Sequence, residues 1–174
     1  MRVLYVVIAL VLFGCGEDIK TDPKEVNWTK ENSTNLGKNV AIQEEIDIEL
    51  FLEMHKDWVM QKTGSGLRYY IYEQGEVDSL IKPIEGCIAE IEYVITLLDG
   101  TECNRTEADE YEEIRVDKSD IETGVQEALK MMSIGDKAKL IIPSHLGHGL
   151  VGDLNKIPPL TTLVVDIHLI GIRV

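Results

Sequence analysis

From residue 86 to residue 98 the chain reads GCIAEIEYVITLL, and its apolar residues fall at every second position. Ala89, Ile91, Tyr93, Ile95 and Leu97 share one parity, and Glu90, Glu92 and Thr96 share the other. In an extended chain successive side chains point to opposite faces, so this run is a strand with one buried face. Asp99-Gly100 follows it at once and supplies a hairpin turn, with residues 101–106 returning along the strand. The same alternation marks residues 67–72, 137–142 (Ala138, Leu140 and Ile142 inward) and 162–170 (Leu163, Val165, Ile167 and Leu169 inward). Ser119-Asp120-Ile121-Glu122 fits a helix capping box. Ile121, Val125, Ala128, Leu129 and Met132 then recur at helical spacing until Gly135 ends the helix. Strands, one short helix and more strands predict an α+β domain: a curved antiparallel β-sheet wrapped on one short α-helix.

Upstream the period is that of a helix. Over residues 44–62, Ile48, Phe51, Leu52, His55, Trp58 and Val59 form one apolar stripe, ended by Gly64 and Gly66. The stripe needs a partner, either the domain that follows or a second copy, which would make a homodimer through this helix. His55 reads as a packed histidine within it.

The first residues read as an address. Residues 3–13 are apolar, and as a helix they rise only about 16 Å, too short to cross a bilayer. Arg2 precedes them, as in a secretory signal. Leu12-Phe13-Gly14-Cys15 resembles the bacterial lipobox, which implies cleavage before Cys15 and an anchor in the membrane through that lipidated residue. Residues 16–43 are polar and read as a flexible tether. Glu17 and Asp18 are either ordinary tether charge or the acidic residues that resemble surface-export signals of Bacteroidetes lipoproteins. The domains expected are a signal peptide at 1–14, a tether at 15–43, an N-terminal helix at 44–63 and a β-rich domain at 64–174. A formal charge of −14 leaves no basic surface for nucleic acid.

Several segments of the β-rich part resemble the FKBP-type peptidyl-prolyl isomerases. They are YVITLLDG at 93–100, GVQEALKMMSIG at 124–135, KAKLIIP at 137–143, Ile157-Pro158-Pro159, and TLVVDIHL at 162–169. SHLGHGLVG at 144–152 stands where that family has a flap loop. The resemblance implies catalysis of rotation about Xaa-Pro bonds in exported proteins, in the envelope of a Gram-negative bacterium. That chemistry needs no cofactor, nucleophile or metal. It implies Tyr93, His148 and Asn104 as catalytic positions. It implies substrate contacts from Tyr93, Cys103, Tyr111, Ile121, Glu122, Val125, Ile157 and Val165. The chain departs from the family's pattern at several of these. Val125 replaces the floor Trp, Cys103 and Val165 replace flanking Phe residues, Asn104 replaces an acid, and His148 replaces the flap Tyr. From residue 64 onward there is no Phe or Trp. The resemblance therefore leads us to expect low activity, or a noncatalytic peptide-binding lipoprotein on the same fold.

Two metal alternatives are weaker. His145 and His148, with Asp153 nearby, lack a third His or Cys in their loop. Glu107, Asp109, Glu110, Glu112 and Glu113 lack an EF-hand spacing and read as a solvated acidic loop. The hairpin at Asp99-Gly100 sets Cys103 opposite about Thr96, so Cys87 and Cys103 are expected as free buried thiols.

Overall fold

The computed structural model describes residues 29–75 and 81–173. The expected signal peptide, Cys15, Glu17 and Asp18 lie outside the described residues. In chain order the elements are α1 (Lys30–Met54), β1 (Gln61–Lys62), β2 (Arg68–Glu73), β3 (Ile88–Leu97), β4 (Glu102–Arg105) and β5 (Glu112–Arg115). Then come α2 (Thr123–Leu129), β6 (Lys137–Ile142) and β7 (Leu163–Arg173). The strands form one sheet in the order β1-β2-β6-β7-β3-β4, with β5 also paired to β3. Every pairing is antiparallel.

The alternating runs became strands with the expected faces. Ala89, Ala138, Leu140, Ile142, Leu163 and Leu169 are wholly buried, and they pack with Val125, Ala128 and Leu129 of α2 in one core. Gly100, at φ 86°, takes the turn from β3 to β4, a conformation that a side chain would strain. The register shifts between Ile95↔Asn104 and Thr96↔Glu102, which leaves Cys103 in the bulge. Cys87 and Cys103 are both buried and unbridged.

Three local expectations need correction. The capping box is not formed: α2 begins at Thr123, after Glu122, with no side-chain cap. Ser119 Oγ instead accepts the Arg115 N–H at 2.8 Å, closing the turn that leaves β5. The helix also ends at Leu129 rather than running to Gly135. Strand β5 was not expected, because its sequence EEIR buries only Ile114 and so shows little alternation of polarity.

The N-terminal helix differs most. It starts at Lys30, inside the stretch expected to be a tether, and stops at Met54, short of residue 62. Low apolar content disfavours burial but not helicity, and extending an anchored helix is far cheaper than nucleating one. Thr29 Oγ1 caps its start by accepting the Asn32 N–H at 3.2 Å. At its end, His55 Nδ1 lies 2.8 Å from the Phe51 carbonyl oxygen, and the His55 ring stacks on Phe51 with centroids 4.1 Å apart. Trp58 lies beyond the helix yet packs on the same cluster, which is why the apolar spacing outran the helix. Val59 is 70% exposed and leaves the stripe.

The stripe's partner is the sheet. Ile48 and Phe51 pack on Ile141 of β6 and Val164 of β7, on the face opposite α2. At Ile141 and Val164 the sheet is therefore covered on both faces, where alternation alone indicated one. Arg68, 3% exposed on β2, fixes the helix by pairing with Glu45 at 2.6 Å and Glu49 at 2.8 Å.

Replacing Ile48, 1% exposed, with Ala should lower unfolding free energy by about 2–4 kcal/mol in a urea titration. A loss under about 0.5 kcal/mol would show that α1 is not docked on the sheet in solution.

Candidate active site

Between the sheet and the start of α2 lies a cavity of about 640 Å³. Its base is apolar: Ile91 and Ile95 of β3, Val165 and Ile167 of β7, Ile114 of β5 and Val125 of α2 all line it. The first four stand on the α2 side because their strand positions share one parity. Val125 faces them from the first turn of α2. Phe or Trp at these places would fill the space that the branched aliphatic residues leave.

Tyr93 leans over this base from β3. Its hydroxyl donates to Glu112 at 2.7 Å and accepts from Asn104 Nδ2 at 3.1 Å. Burial first, and then the hydrogen bond to Glu112, pushes the Tyr93 phenol well above its ordinary pKa, so it stays a donor. The loop over residues 143–159 forms the opposite wall. It opens with the short turn Ser144–Leu146, and Gly149 N–H and Gly147 N–H both donate to the Ser144 carbonyl. This brings His148 across the cavity until its Nε2 lies 2.9 Å from Glu122 Oε1. His145, by contrast, turns its Nε2 to the Ser65 carbonyl, 2.9 Å away, so the two histidines have different partners.

The loop is fixed at both ends. Asp153 Oδ1 accepts the N–H groups of Asn155 at 2.8 Å and Ile157 at 2.7 Å. The Ile157 N–H foremost, with those of Asn155 and Lys156, holds the Asp153 carboxyl below the usual carboxylate range. Gly152 has φ 71°, and a Cβ there would lie 2.1 Å from the Ile157 carbonyl oxygen, so only glycine fits. At the loop's base, Glu44 of α1 accepts the Ser144 N–H at 2.6 Å, the Ser144 hydroxyl at 3.2 Å and the Thr162 hydroxyl at 2.7 Å. The N-terminal helix thus holds the strand ends from which the loop springs.

Of the residues singled out in the sequence, Tyr93, Asn104, Ile121, Glu122, Val125, His148 and Val165 line the cavity together. Three do not. Cys103 is buried in the β4 bulge, with its thiol 3.9 Å from the Lys156 carbonyl oxygen. Tyr111 is 50% exposed outside the cavity, and Ile157 is buried in the core beside it. Of the acidic loop, only Glu112 reaches the cavity. Asp120 and Asp153 also line it and were not among the expected contacts. Their signal, isolated acids in turns, is too common in a chain this acidic to stand out.

Burial first, and then the Asp153 charge, raises the Cys103 thiol pKa. A raised value leaves less thiolate at a given pH. Iodoacetamide should therefore label Cys103 at least about tenfold more slowly than glutathione at pH 8, with the gap narrowing as pH rises. Mass spectrometry of labelled peptides reads this, and rapid labelling at pH 8 would contradict it.

A family model described as FKBP-type peptidyl-prolyl cis-trans isomerase matches residues 81–170. The FKBP-type peptidyl-prolyl cis-trans isomerase FkpA of Buchnera aphidicola subsp. Schizaphis graminum is 31% identical over 166 residues, 95% of this chain and 61% of that protein. FkpA of Escherichia coli strain K12 is 31% identical over 139 residues, 79% of this chain and 49% of that protein. The crystal structure of FkpA from Escherichia coli aligns with a TM-score of 0.65 at 29% identity, covering 82% of this chain and 64% of that one. The chain therefore spans roughly half to two thirds of the length of these relatives.

Proposed function

Because the chain belongs to the FKBP-type peptidyl-prolyl cis-trans isomerases, we propose that it accelerates cis-trans rotation about Xaa-Pro bonds in exported polypeptides. The observation that carries this reading is the cavity itself: an aliphatic base under a hydrogen-bonded Tyr93 and a loop that presents His148. Rotation must overcome an amide barrier of about 18–20 kcal/mol, which comes from the resonance of the peptide bond. Moving the bond from water to an apolar surround disfavours the charge-separated planar form relative to the twisted one. The prolyl ring sits on Val125, Val165 and Ile95, and Ile121 closes its side. The Glu122 N–H and His148 supply donors to the substrate carbonyls. Asn104 and Glu112 hold the Tyr93 hydroxyl in place.

The activity we propose is low. Each aromatic side chain replaced by a smaller one forgoes about 1–2 kcal/mol of contact with the ring, at roughly 25 cal/mol per Å². The same replacements favour a second reading, in which the pocket binds peptides without catalysis. One assay separates the two: isomerisation of a short Xaa-Pro peptide by the full chain. The first reading expects weak but saturable acceleration. It also expects Val125→Trp with His148→Tyr to raise kcat/KM about tenfold, since the cavity has room for both rings. No acceleration by the parent chain or the double variant, with folding intact, favours the second reading.

Placement in the cell follows the first residues. We propose anchoring to the outer membrane of a Gram-negative envelope through lipidated Cys15, with Xaa-Pro segments of exported proteins as clients. The sheet covers the Ile48 and Phe51 side of α1, so a homodimer through this helix would use the other side. There Ile42, Ile46, Leu50 and Met54, at four-residue spacing, are 46–75% exposed. Sedimentation of the chain in detergent should then give a dimer that Ile46→Glu with Leu50→Glu splits into monomers. A monomeric parent chain would rule this out.

A further inference from the structure

Resting on the prolyl pocket just described, we propose that the cavity selects proline segments in which a lysine or arginine lies next to the proline. Two independent features support this. The first is space. About 640 Å³ suits a ligand of several residues, and a five-membered ring fills only a small part of it. What enters beside the ring must occupy the remainder.

The second feature is charge. Glu112 from β5, Asp120 and Glu122 from the approach to α2, and Asp153 from the loop converge on this one cavity from three sides. Among the described residues, no lysine or arginine lines it. One histidine lines it: His148, whose Nε2 lies 2.9 Å from Glu122 Oε1 and which also lies close enough to Asp153 to help lower that carboxyl's pKa. Glu112 receives only the neutral Tyr93 hydroxyl, and the Asp153 oxygen that binds the loop receives backbone N–H groups. None of these neutralises the charge. Four carboxylates around a low-dielectric base attract a cation more strongly than they would in open water.

The base and the rim are complementary to one kind of side chain. Lysine and arginine carry a long aliphatic stem and a charged head, and they bury the stem along apolar surface while the head stays at the polar edge. Here the stem would lie along the part of the aliphatic base that the prolyl ring leaves free, and the head would reach Glu122 or Asp120. A neighbouring glutamate would meet the same carboxylates at close range and be rejected. A leucine would fill the base but leave the rim unused.

The test uses the full chain and peptides that differ only in the residue before proline: Lys, Leu or Glu. A second set varies the residue after proline. Isomerisation is followed by exchange NMR, and binding by chemical-shift changes in the same samples. At low salt the Lys peptide should exceed the Glu peptide in kcat/KM by about tenfold or more, with Leu between them. At about 0.5 M salt the ratio should shrink to about threefold or less. Asp120→Asn with Glu122→Gln should shrink it as far at low salt. Asp120→Asn alone, at an exposed position, should lower it about twofold. Glu31→Gln with Glu53→Gln on α1 removes the same net charge far from the cavity and should leave the ratio unchanged.

Equal rates for all peptides in both sets, with every peptide accelerated, overturn the selectivity and leave the isomerase reading standing. Equal losses in the cavity and α1 variants overturn it too, by assigning the preference to overall charge. No acceleration, with Lys peptides binding about tenfold tighter than Glu peptides, upholds the selectivity and overturns the isomerase reading. Neither acceleration nor selective binding overturns both.

Discussion

In β6 and β7, neighbouring residues are buried in opposite directions. Leu140 pairs with Val165 and faces α2, while the next pair, Ile141 with Val164, faces α1. An antiparallel pair covered on one face is ordinary, but one covered on both must place every residue correctly, because a slip by one position exchanges the two cores. The central pair is thereby fixed in register. The cavity wall at Val165 and Ile167 and the loop that leaves β6 at Pro143 are set by that register.

The two helices depend on this pair in different ways. Helix α2 has seven residues and supplies Val125 to the cavity as well as Ala128 and Leu129 to the core. A helix this short is not stable by itself, so its position is set by packing. Helix α1 is long enough to persist and is tied by charge as well as by burial. Glu45 and Glu49 meet the buried Arg68, and Glu44 reaches past the sheet to Ser144 and Thr162. The loop that forms one wall of the cavity is consequently anchored to an element on the far face of the sheet. The segment that reads as an appendage in the sequence is part of the frame that holds the site.

Much of the architecture is legible in short stretches. Of the seven strands among the described residues, four follow from alternation or its continuation in residues 67–72, 86–98, 137–142 and 162–170, and Asp99-Gly100 marks the hairpin that gives β4. Strand β5 escapes because its partner, the first half of β3, is close only in three dimensions. The capping box at Ser119 misleads for a related reason: a better partner for its hydroxyl, the Arg115 N–H, exists only once β5 has formed. The two ends of α1 misplace in opposite directions. Its polar start hides a helix, and Trp58 prolongs the apolar spacing past the helix end.

Local sequence determined which segments extend, which coil and which side of each strand is greasy, because side-chain direction follows from backbone period alone. It also carried the family resemblance, since the segments 93–100, 124–135, 137–143 and 162–169 each hold together in the chain. Only the tertiary structure decided that seven of the ten singled-out residues share one cavity and that Cys103, Tyr111 and Ile157 stand outside it. Only the tertiary structure brought Glu112, Asp120, Glu122 and Asp153 to one rim. The physical reason is distance along the chain. A cavity is made by side chains from segments dozens of residues apart, and no local pattern records which way two such segments turn toward each other.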